Sequence, residues 1–174
     1  TNPFILPNYP PASWLVKGEK SRQVPVRIVY AGALSMKTMY IAEFASWVNS
    51  QMGCVIWDIY SYNYSEDVIA YLESLNTPWI SLKKGVGYSE LPAVYNNYDV
   101  GIILYRGHIQ NYIFNAPNKL FEYVACGLDV WFPNVMTGCL PYITTAVYPK
   151  VISLDFNNLA FDLMEALDTT NCKL

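Results

Sequence analysis

The sequence predicts an α/β fold, a Rossmann-like parallel sheet of about six strands flanked by helices. Short apolar runs alternate along the chain with stretches of helical periodicity, an order typical of parallel strands joined by helical crossovers. The runs are almost continuously apolar, which indicates strands that are buried on both faces. At 174 residues, the chain is long enough for one such domain with a core of its own.

The predicted elements follow one another in the order that this fold requires. Strands are predicted at residues 26–31, 54–60, 79–82, 99–105, 129–133 and 151–154, because each run is short and apolar. Helices are predicted at residues 37–51, 66–75, 89–96, 115–127 and 158–167, which carry apolar side chains at helical spacing. Gly53 and Gly127 are expected to end helices, since glycine accepts the left-handed backbone beyond a last turn.

Composition and charge narrow the classes of partner. Hydrophobic residues make up 53% of the chain and charged residues 14%, with a net charge of −3. The lack of a basic stripe argues against nucleic acid and anionic membranes as main partners. No apolar run reaches the roughly 18 residues of a membrane helix, so no integral membrane segment is expected. The apolar excess indicates a face that meets another domain.

The cysteine and histidine pattern predicts neither a metal site nor a cofactor. No Cys-x-x-Cys pair occurs among the four cysteines, and there is a single histidine. Dinucleotide and Walker phosphate motifs are also missing. Cys54 and Cys126 are interpreted as small buried hydrophobic residues, which fits a reducing cytosol. The amino-terminal residues do not resemble a secretory signal, so we expect a cytoplasmic protein.

The most informative motif lies between Asn115 and Gly127. Asn115 is a good N-cap residue, and Pro117 suits a first helical turn. Lys119 follows in that turn and Glu122 lies one turn further on. A helix start with free N–H groups, a lysine and an acid favours a phosphate group joined to a sugar ring.

This motif resembles the donor-site helix of GT-B glycosyltransferases, especially that of the bacterial group 1 families, which have the signature Pro-x-Lys-x-x-Glu-Tyr-x-Ala-x-Gly. The matching residues are Pro117, Lys119, Glu122, Tyr123, Ala125 and Gly127. The resemblance covers about residues 4–167 and implies one half of a GT-B fold, the C-terminal half that binds a nucleotide-sugar.

The resemblance implies roles for the polar residues near this helix. Glu122 is expected to accept hydrogen bonds from the ribose hydroxyls, a task that suits a carboxylate; the alternative is a solvated glutamate, or one paired with Lys119. The donor diphosphate is expected at six residues: Gly32, Lys37, Asn115, Pro117, Asn118 and Lys119. For Lys119 the alternative is an ordinary surface lysine.

Three loops are expected beside the ligand, because open α/β sheets bind ligands outside the carboxyl ends of their strands. Gly32, after the first strand, allows a close backbone approach to a diphosphate, although it could be a simple turn residue. In similar proteins the residues that lead into the loop after the third strand, here residues 81–88, lie beside the nucleobase. Trp79 and Leu82 are therefore candidates for a base contact, and burial in the sheet is the alternative for Trp79. Arg106 and His108 are the polar candidates of the sugar-facing loop.

One departure from the family pattern leaves catalysis unassigned. Many similar proteins carry an acid eight positions before the acid that Glu122 matches, and here that position is Phe114. The Asp-x-Asp metal motif of the other large glycosyltransferase fold is also missing, so no metal ion is expected. No catalytic residue can be named from the sequence.

The resemblance divides the chain into an interdomain strand and linker at residues 1–24 and a nucleotide-sugar-binding domain at residues 25–174. The resemblance implies a parent enzyme of polysaccharide biosynthesis that transfers a sugar from a nucleotide-sugar, with UDP as the expected nucleotide, to a glycan or lipid-linked acceptor. The expected place of that reaction is the cytoplasm, including the inner face of the membrane. The acceptor site would lie on a missing N-terminal domain, so the isolated chain should bind donor without turnover. Alternatives are a non-catalytic binding or regulatory module, an epimerase-type user of nucleotide-sugars, and a flavodoxin-like signalling layer.

Overall fold

A computed structural model describes residues 9–16 and 24–159 of the chain. Within them, one six-stranded sheet runs in the order β3-β2-β1-β4-β5-β6, with every neighbouring pair parallel. Its strands are β1 Val26–Ala31, β2 Val55–Ser61, β3 Ile80–Lys84, β4 Val100–Ile102, β5 Asp129–Pro133 and β6 Val151–Leu154. The predicted Rossmann-like α/β fold is confirmed, since strand order reverses between β1 and β4 as in doubly wound sheets.

Helices connect these strands. They are α1 Ile41–Ser50, α2 Glu66–Ser74, α3 Leu91–Tyr95, α4 Gln110–Phe114 and α5 Asn118–Ala125, with short 3-10 helices at Ala12–Trp14, Tyr88–Glu90 and Thr137–Tyr142. The sequence did not predict α4, which occupies part of the expected sugar-facing loop. The predicted helix at 158–167 lies outside the described residues beyond residue 159.

The first helix begins later than its periodicity predicts. Residues 37–40 are not helical, because the chain here pairs with the segment that follows β4. The Tyr40 N–H donates to the Leu104 carbonyl at 2.8 Å, and Met39 forms an antiparallel bridge with Tyr105. The same pairing draws the end of the predicted fourth strand out of the parallel sheet, so β4 stops at Ile102.

The core consists of one apolar cluster on each face of the sheet. In β1 the side chains of Ile28 and Tyr30 join the cluster under α1 and α2, whereas Val29 and Ala31 join the one under α3 and α5. The sheet is therefore covered on both faces, as the continuously apolar strands predicted.

Helix α5 is fixed on the sheet by a tyrosine and ended by a glycine. A Cβ on Gly101 would lie 2.2 Å from Tyr123 ring atoms, so the ring packs directly on the β4 backbone. The predicted stop at Gly127 is confirmed: its φ is +69°, and its N–H donates to the Val124 carbonyl at 3.0 Å. The Leu128 N–H donates to the Tyr123 carbonyl at 2.9 Å, which completes a Schellman motif.

The cysteine interpretation is half right. Cys126 is buried as predicted, but Cys54 is exposed because it lies in the turn before β2, which begins one residue later. Burial raises the pKa of the Cys139 thiol to about 12. Among residues 9–16 and 24–159, no three His, Cys, Asp or Glu side chains come together as a metal cluster. No helix in these ranges has the length and hydropathy of a membrane span.

Candidate functional site

A cavity of about 290 Å³ opens at the carboxyl ends of β1, β2 and β3. Its lining residues come from the loops after those strands: Ala31, Gly32, Ala33, Tyr60, Tyr62, Asn63, Gly85, Val86, Tyr88 and Leu91. This is the edge at which open α/β sheets bind ligands. The volume is near the lower end of the roughly 300–1,000 Å³ of small-molecule pockets, which suits part of a ligand rather than a whole nucleotide-sugar.

Gly32 and Lys119 meet at one border of this cavity. Gly32 has a φ of +145°, a conformation that glycine adopts without strain. A Cβ there would lie 2.8 Å from Lys119 Nζ, so the amine at the start of α5 reaches the backbone of the β1–α1 loop. The amine also lies 5.3 Å from the centre of the Tyr30 ring. The structure therefore brings together two residues that the sequence motif and the strand-end rule had selected separately.

Glu122 lies one helical turn beyond Lys119 and is only 6% exposed. Burial raises the pKa of its carboxyl group, while the positive charge of Lys119 and a hydrogen bond with Tyr95 oppose that rise. Burial lowers the pKa of the Lys119 amine, and the carboxylate opposes that change. The solvated-glutamate alternative is wrong. Burial raises the pKa of the Tyr88 hydroxyl, and the charge of Glu122 adds to that rise.

The start of α5 differs from the prediction. Asn115 is not its N-cap; it is the residue that ends α4, and its N–H donates to the Asn111 carbonyl at 3.2 Å. Pro117 takes the N-cap position with an extended backbone and no side-chain cap, and Asn118 is the exposed first residue of the helix. The physical reason is Pro117 itself, which disfavours helical backbone at the residue before it.

The segment before α5 is held by the 3-10 helix Thr137–Tyr142. The Thr137 hydroxyl donates to the Ile113 carbonyl at 3.2 Å. A Cβ on Gly138 would lie 2.2 Å from the Phe114 carbonyl oxygen, so only glycine leaves room for this contact. The position from which Lys119 reaches Gly32 therefore depends on backbone packing that the sequence motif does not reveal.

Arg106 is bound by protein groups. Its guanidinium donates to both carboxylate oxygens of Glu43 at 2.7 Å and to the Met39 carbonyl at 2.9 Å, and it lies 4.6 Å from the centre of the Tyr40 ring. These contacts join the segment after β4 to the start of α1. Arg106 thus has a structural role that the sequence did not indicate, and its contact with a sugar stays a prediction.

The other predicted polar residues lie apart from the cavity lining. Lys37 is exposed in the turn before α1, and His108 is exposed with its ring 5.6 Å from that of Tyr112. Trp79 packs at the opposite edge of the sheet, where its ring lies 2.9 Å from the position of a Cβ on Gly53. Trp79 precedes β3, whereas the cavity lies at the other end of that strand, and its side chain packs partly buried against the cluster under α1 and α2. Leu82 is partly buried against the apolar cluster under α1 and α2. A base contact by Trp79 or Leu82 stays a prediction.

Sequence reasoning missed the tyrosines of the cavity wall, of which Tyr62 and Tyr88 are 67% and 53% exposed. Tyr62 directly follows β2, and β2 pairs with β3 so that Ser61 lies beside Lys84. Strand register therefore places Tyr62 against Gly85. Tyr62 could have been found from the sequence only by predicting how β2 and β3 pair.

The buried carboxylate of Asp58 connects the strands that carry the cavity wall. Asp58 of β2 is 3% exposed and accepts hydrogen bonds from Lys83 Nζ at 2.7 Å and from the Tyr98 hydroxyl at 2.6 Å. The Tyr98 hydroxyl lies 3.1 Å from the hydroxyl of Tyr60, whose side chain lines the cavity. The network joins β2, the end of β3 and the segment after α3, so it helps to hold the loop that carries Gly85.

Comparison with known proteins shows the fold. No family model and no curated protein sequence matches the chain. The crystal structure of TarM matches with a TM-score of 0.59 and 14% identity over 90% of this chain and 31% of that chain. The crystal structure of the GtfA/B complex matches with a TM-score of 0.55 and 16% identity over 90% of this chain and 30% of that chain. The chain therefore shares with these two structures the Rossmann-like layer of a GT-B-like fold. It spans about 30% of the length of the matched chain of the GtfA/B complex.

Proposed function

We propose that this chain is the donor-binding half of a GT-B glycosyltransferase and that its cavity receives the nucleotide part of a nucleotide-diphospho-sugar. The observation that carries the proposal is the meeting of Lys119 Nζ with the Gly32 backbone at the border of the cavity. Glu122, buried one turn deeper in the same helix, supplies the acceptor for a ribose. Helix α5 thus carries both a cation for the diphosphate, Lys119, and a hydrogen-bond acceptor for the ribose, Glu122.

The proposed chemistry is mainly electrostatic. When the glycosyl group leaves, negative charge grows on the departing diphosphate, and a cation fixed beside that group lowers the barrier. Lys119 is half-buried, so its charge acts through a medium less polar than water and is less weakened by solvent. Gly32 lets the phosphate approach the backbone because it carries no side chain.

The parent reaction is transfer of a sugar to a glycan or lipid-linked acceptor, and the remaining parts of the enzyme would supply the acceptor site. In this proposal residues 1–24 form the interdomain strand and linker, of which only 9–16 and 24 are described, and residues 25–174 form the donor domain. UDP is the first nucleotide to test. Lys37, Asn115, Pro117 and Asn118 remain proposed diphosphate neighbours.

Lys119→Met tests the proposed diphosphate site. We expect this variant to bind UDP roughly 10- to 100-fold more weakly than the wild type, because hydrogen bonds to charged groups contribute about 1.5–3 kcal/mol. Isothermal titration calorimetry with UDP, GDP and ADP measures the effect and selects the base. Lys84→Met removes an exposed lysine at the end of β3 and is the matched control. Equal UDP affinities of the Lys119 variant and the wild type would contradict the diphosphate assignment.

The isolated chain is expected to bind donor without transferring sugar. The reason is that, in this proposal, the acceptor site lies in the other half of a GT-B enzyme. The measurement is release of UDP from a UDP-sugar that binds, in the presence and absence of glycan acceptors. Sustained turnover by this chain alone would contradict the proposed division of labour.

A non-catalytic nucleotide-sugar-binding module is the second candidate. It is favoured by Phe114, a side chain that is 67% exposed at the position where many similar enzymes carry an acid. The same assay, repeated with Phe114→Glu in a protein that includes the partner half, separates the two candidates. Transfer by the wild-type protein supports the enzyme, whereas donor binding with no transfer by either form supports the module.

A further inference from the structure

Tyr62 lines the cavity and presents an exposed aromatic ring. Three atoms of its ring lie 2.4, 2.7 and 2.8 Å from the position of a Cβ on Gly85, so the ring packs on the Gly85 backbone, where any other residue would collide with it. The side chain nevertheless remains 67% exposed. One side of the ring is therefore supported by the β3–α3 loop, while the rest of it faces open space.

The surroundings of this ring suit a flat, uncharged group. Among the cavity-lining residues that the structure describes, none carries a charged side chain. A second tyrosine of the lining, Tyr88, is 53% exposed, and the Trp14 ring lies behind it with ring centres 4.7 Å apart. Charge is concentrated instead at the Gly32 border, where Lys119 lies. The lining thus offers the aromatic rings of Tyr62 and Tyr88, and a cation adjoins it at Gly32.

We propose that Tyr62 is the residue on which the nucleobase of the bound nucleotide stacks. The inference rests on the proposed nucleotide site and adds the residue that recognises the base portion of the ligand. Every nucleobase has a planar π-face, so stacking on a tyrosine selects nucleotides over phosphates that lack a base without choosing among bases. Gly85 is needed because it lets the ring lie against the loop and fixes the ring plane.

The test compares UDP with pyrophosphate, which has no base, on the wild type and two variants. Affinities come from ¹H–¹⁵N NMR titrations, which measure weak binding and also report the Gly85 amide beside the ring. Tyr62→Ala is expected to bind UDP roughly 10- to 100-fold more weakly. Tyr62→Phe keeps the ring and is expected to retain wild-type affinity. Val147→Ala removes a side chain of similar exposure, 68%, from the segment before β6 and is the control.

The outcomes separate this inference from the proposed function. UDP binding by the wild type with an unchanged affinity in Tyr62→Ala overturns the stacking role and leaves the nucleotide site standing. An equal loss of UDP and pyrophosphate affinity also overturns it, because the ring would then shape the phosphate site. If the wild type binds no nucleotide, the proposed function fails and the stacking role falls with it. Thermal unfolding of each variant verifies that the fold persists.

Discussion

Replacing Asp58 with alanine is expected to lower the free energy of unfolding by about 2–4 kcal/mol. The carboxylate is buried and accepts hydrogen bonds from Lys83 and Tyr98, so the variant loses two hydrogen bonds to a charged group together with the longer ion pair to Arg27. The loss stays below the roughly 5 kcal/mol upper limit for broken buried ion pairs, because the cations can turn to water. The side chains of Lys83 and Arg27, whose nearest nitrogens lie 2.7 and 3.8 Å from the carboxylate, are 39% and 48% exposed.

Urea unfolding followed by tryptophan fluorescence measures this change. Asp58→Asn should lose less stability than Asp58→Ala, since an amide oxygen still accepts from the Tyr98 hydroxyl. A double-mutant cycle with Lys83→Met isolates the lysine contact. If Asp58→Ala unfolds at the urea concentration of the wild type, the carboxylate does not hold the end of β3. A stable variant with weakened UDP binding would show that the network acts on the cavity alone.

The sheet could be predicted from sequence because each strand is a short apolar run between polar or turn-forming residues. The failures occur where hydrogen bonds form between segments distant in sequence. Residues 37–40 have helical periodicity, but their backbone pairs with residues 104–106. The apolar run at 99–105 marks a strand correctly, yet its second half leaves the parallel sheet for that pairing. Periodicity reports burial of side chains, and it does not report which backbone accepts a given N–H.

The candidate site could be predicted only in part, for a related reason. Gly32 could be selected because ligands bind at the carboxyl ends of the strands, where a glycine lets a phosphate approach the backbone. Lys119 could be selected because the helix signature has a lysine at that position. The cap at Asn115 was predicted wrongly because Pro117 disfavours helical backbone at the residue before it, and because no apolar periodicity predicts the short helix α4 that Asn115 ends. The sequence did not distinguish Tyr62 from the other fourteen of its fifteen tyrosines. Its proposed role depends on the β2–β3 register, which places it beside Gly85.

Glu122→Gln is expected to weaken UDP binding and to stabilise the free protein at neutral pH. A glutamine keeps one acceptor oxygen but loses the charge, so the proposed ribose contact should weaken roughly 10- to 100-fold. The gain in stability follows from burial, which raises the pKa of the Glu122 carboxyl group even against the attraction of Lys119. Ionising this group therefore costs more in the folded chain than in the unfolded chain. Binding function and folding stability oppose each other at this residue.

The sign of the pH dependence is fixed by the direction of that shift. Because the folded pKa lies above the unfolded value of about 4.3, the folded protein holds the Glu122 proton over a pH range in which the unfolded chain has lost it. Wild-type stability from this group is fully present below the unfolded pKa and is lost as the pH rises through the folded pKa. The stability advantage of Glu122→Gln should accordingly be absent near pH 4, appear above it and reach a plateau once the carboxyl group of the folded protein is ionised.

Urea unfolding at several pH values between about 4 and 8, together with calorimetry with UDP, measures both effects on the same variant. Glu73→Gln, which neutralises an exposed glutamate of α2, should show neither the pH-dependent gain nor the loss of affinity. A Glu122→Gln protein that is more stable yet binds UDP normally would leave the carboxylate buried without a ligand role. If Glu122→Gln is less stable than the wild type at neutral pH, the attraction between the Glu122 carboxylate and the Lys119 amine outweighs the cost of burying the carboxylate. Glu122 would then be a structural partner of that lysine.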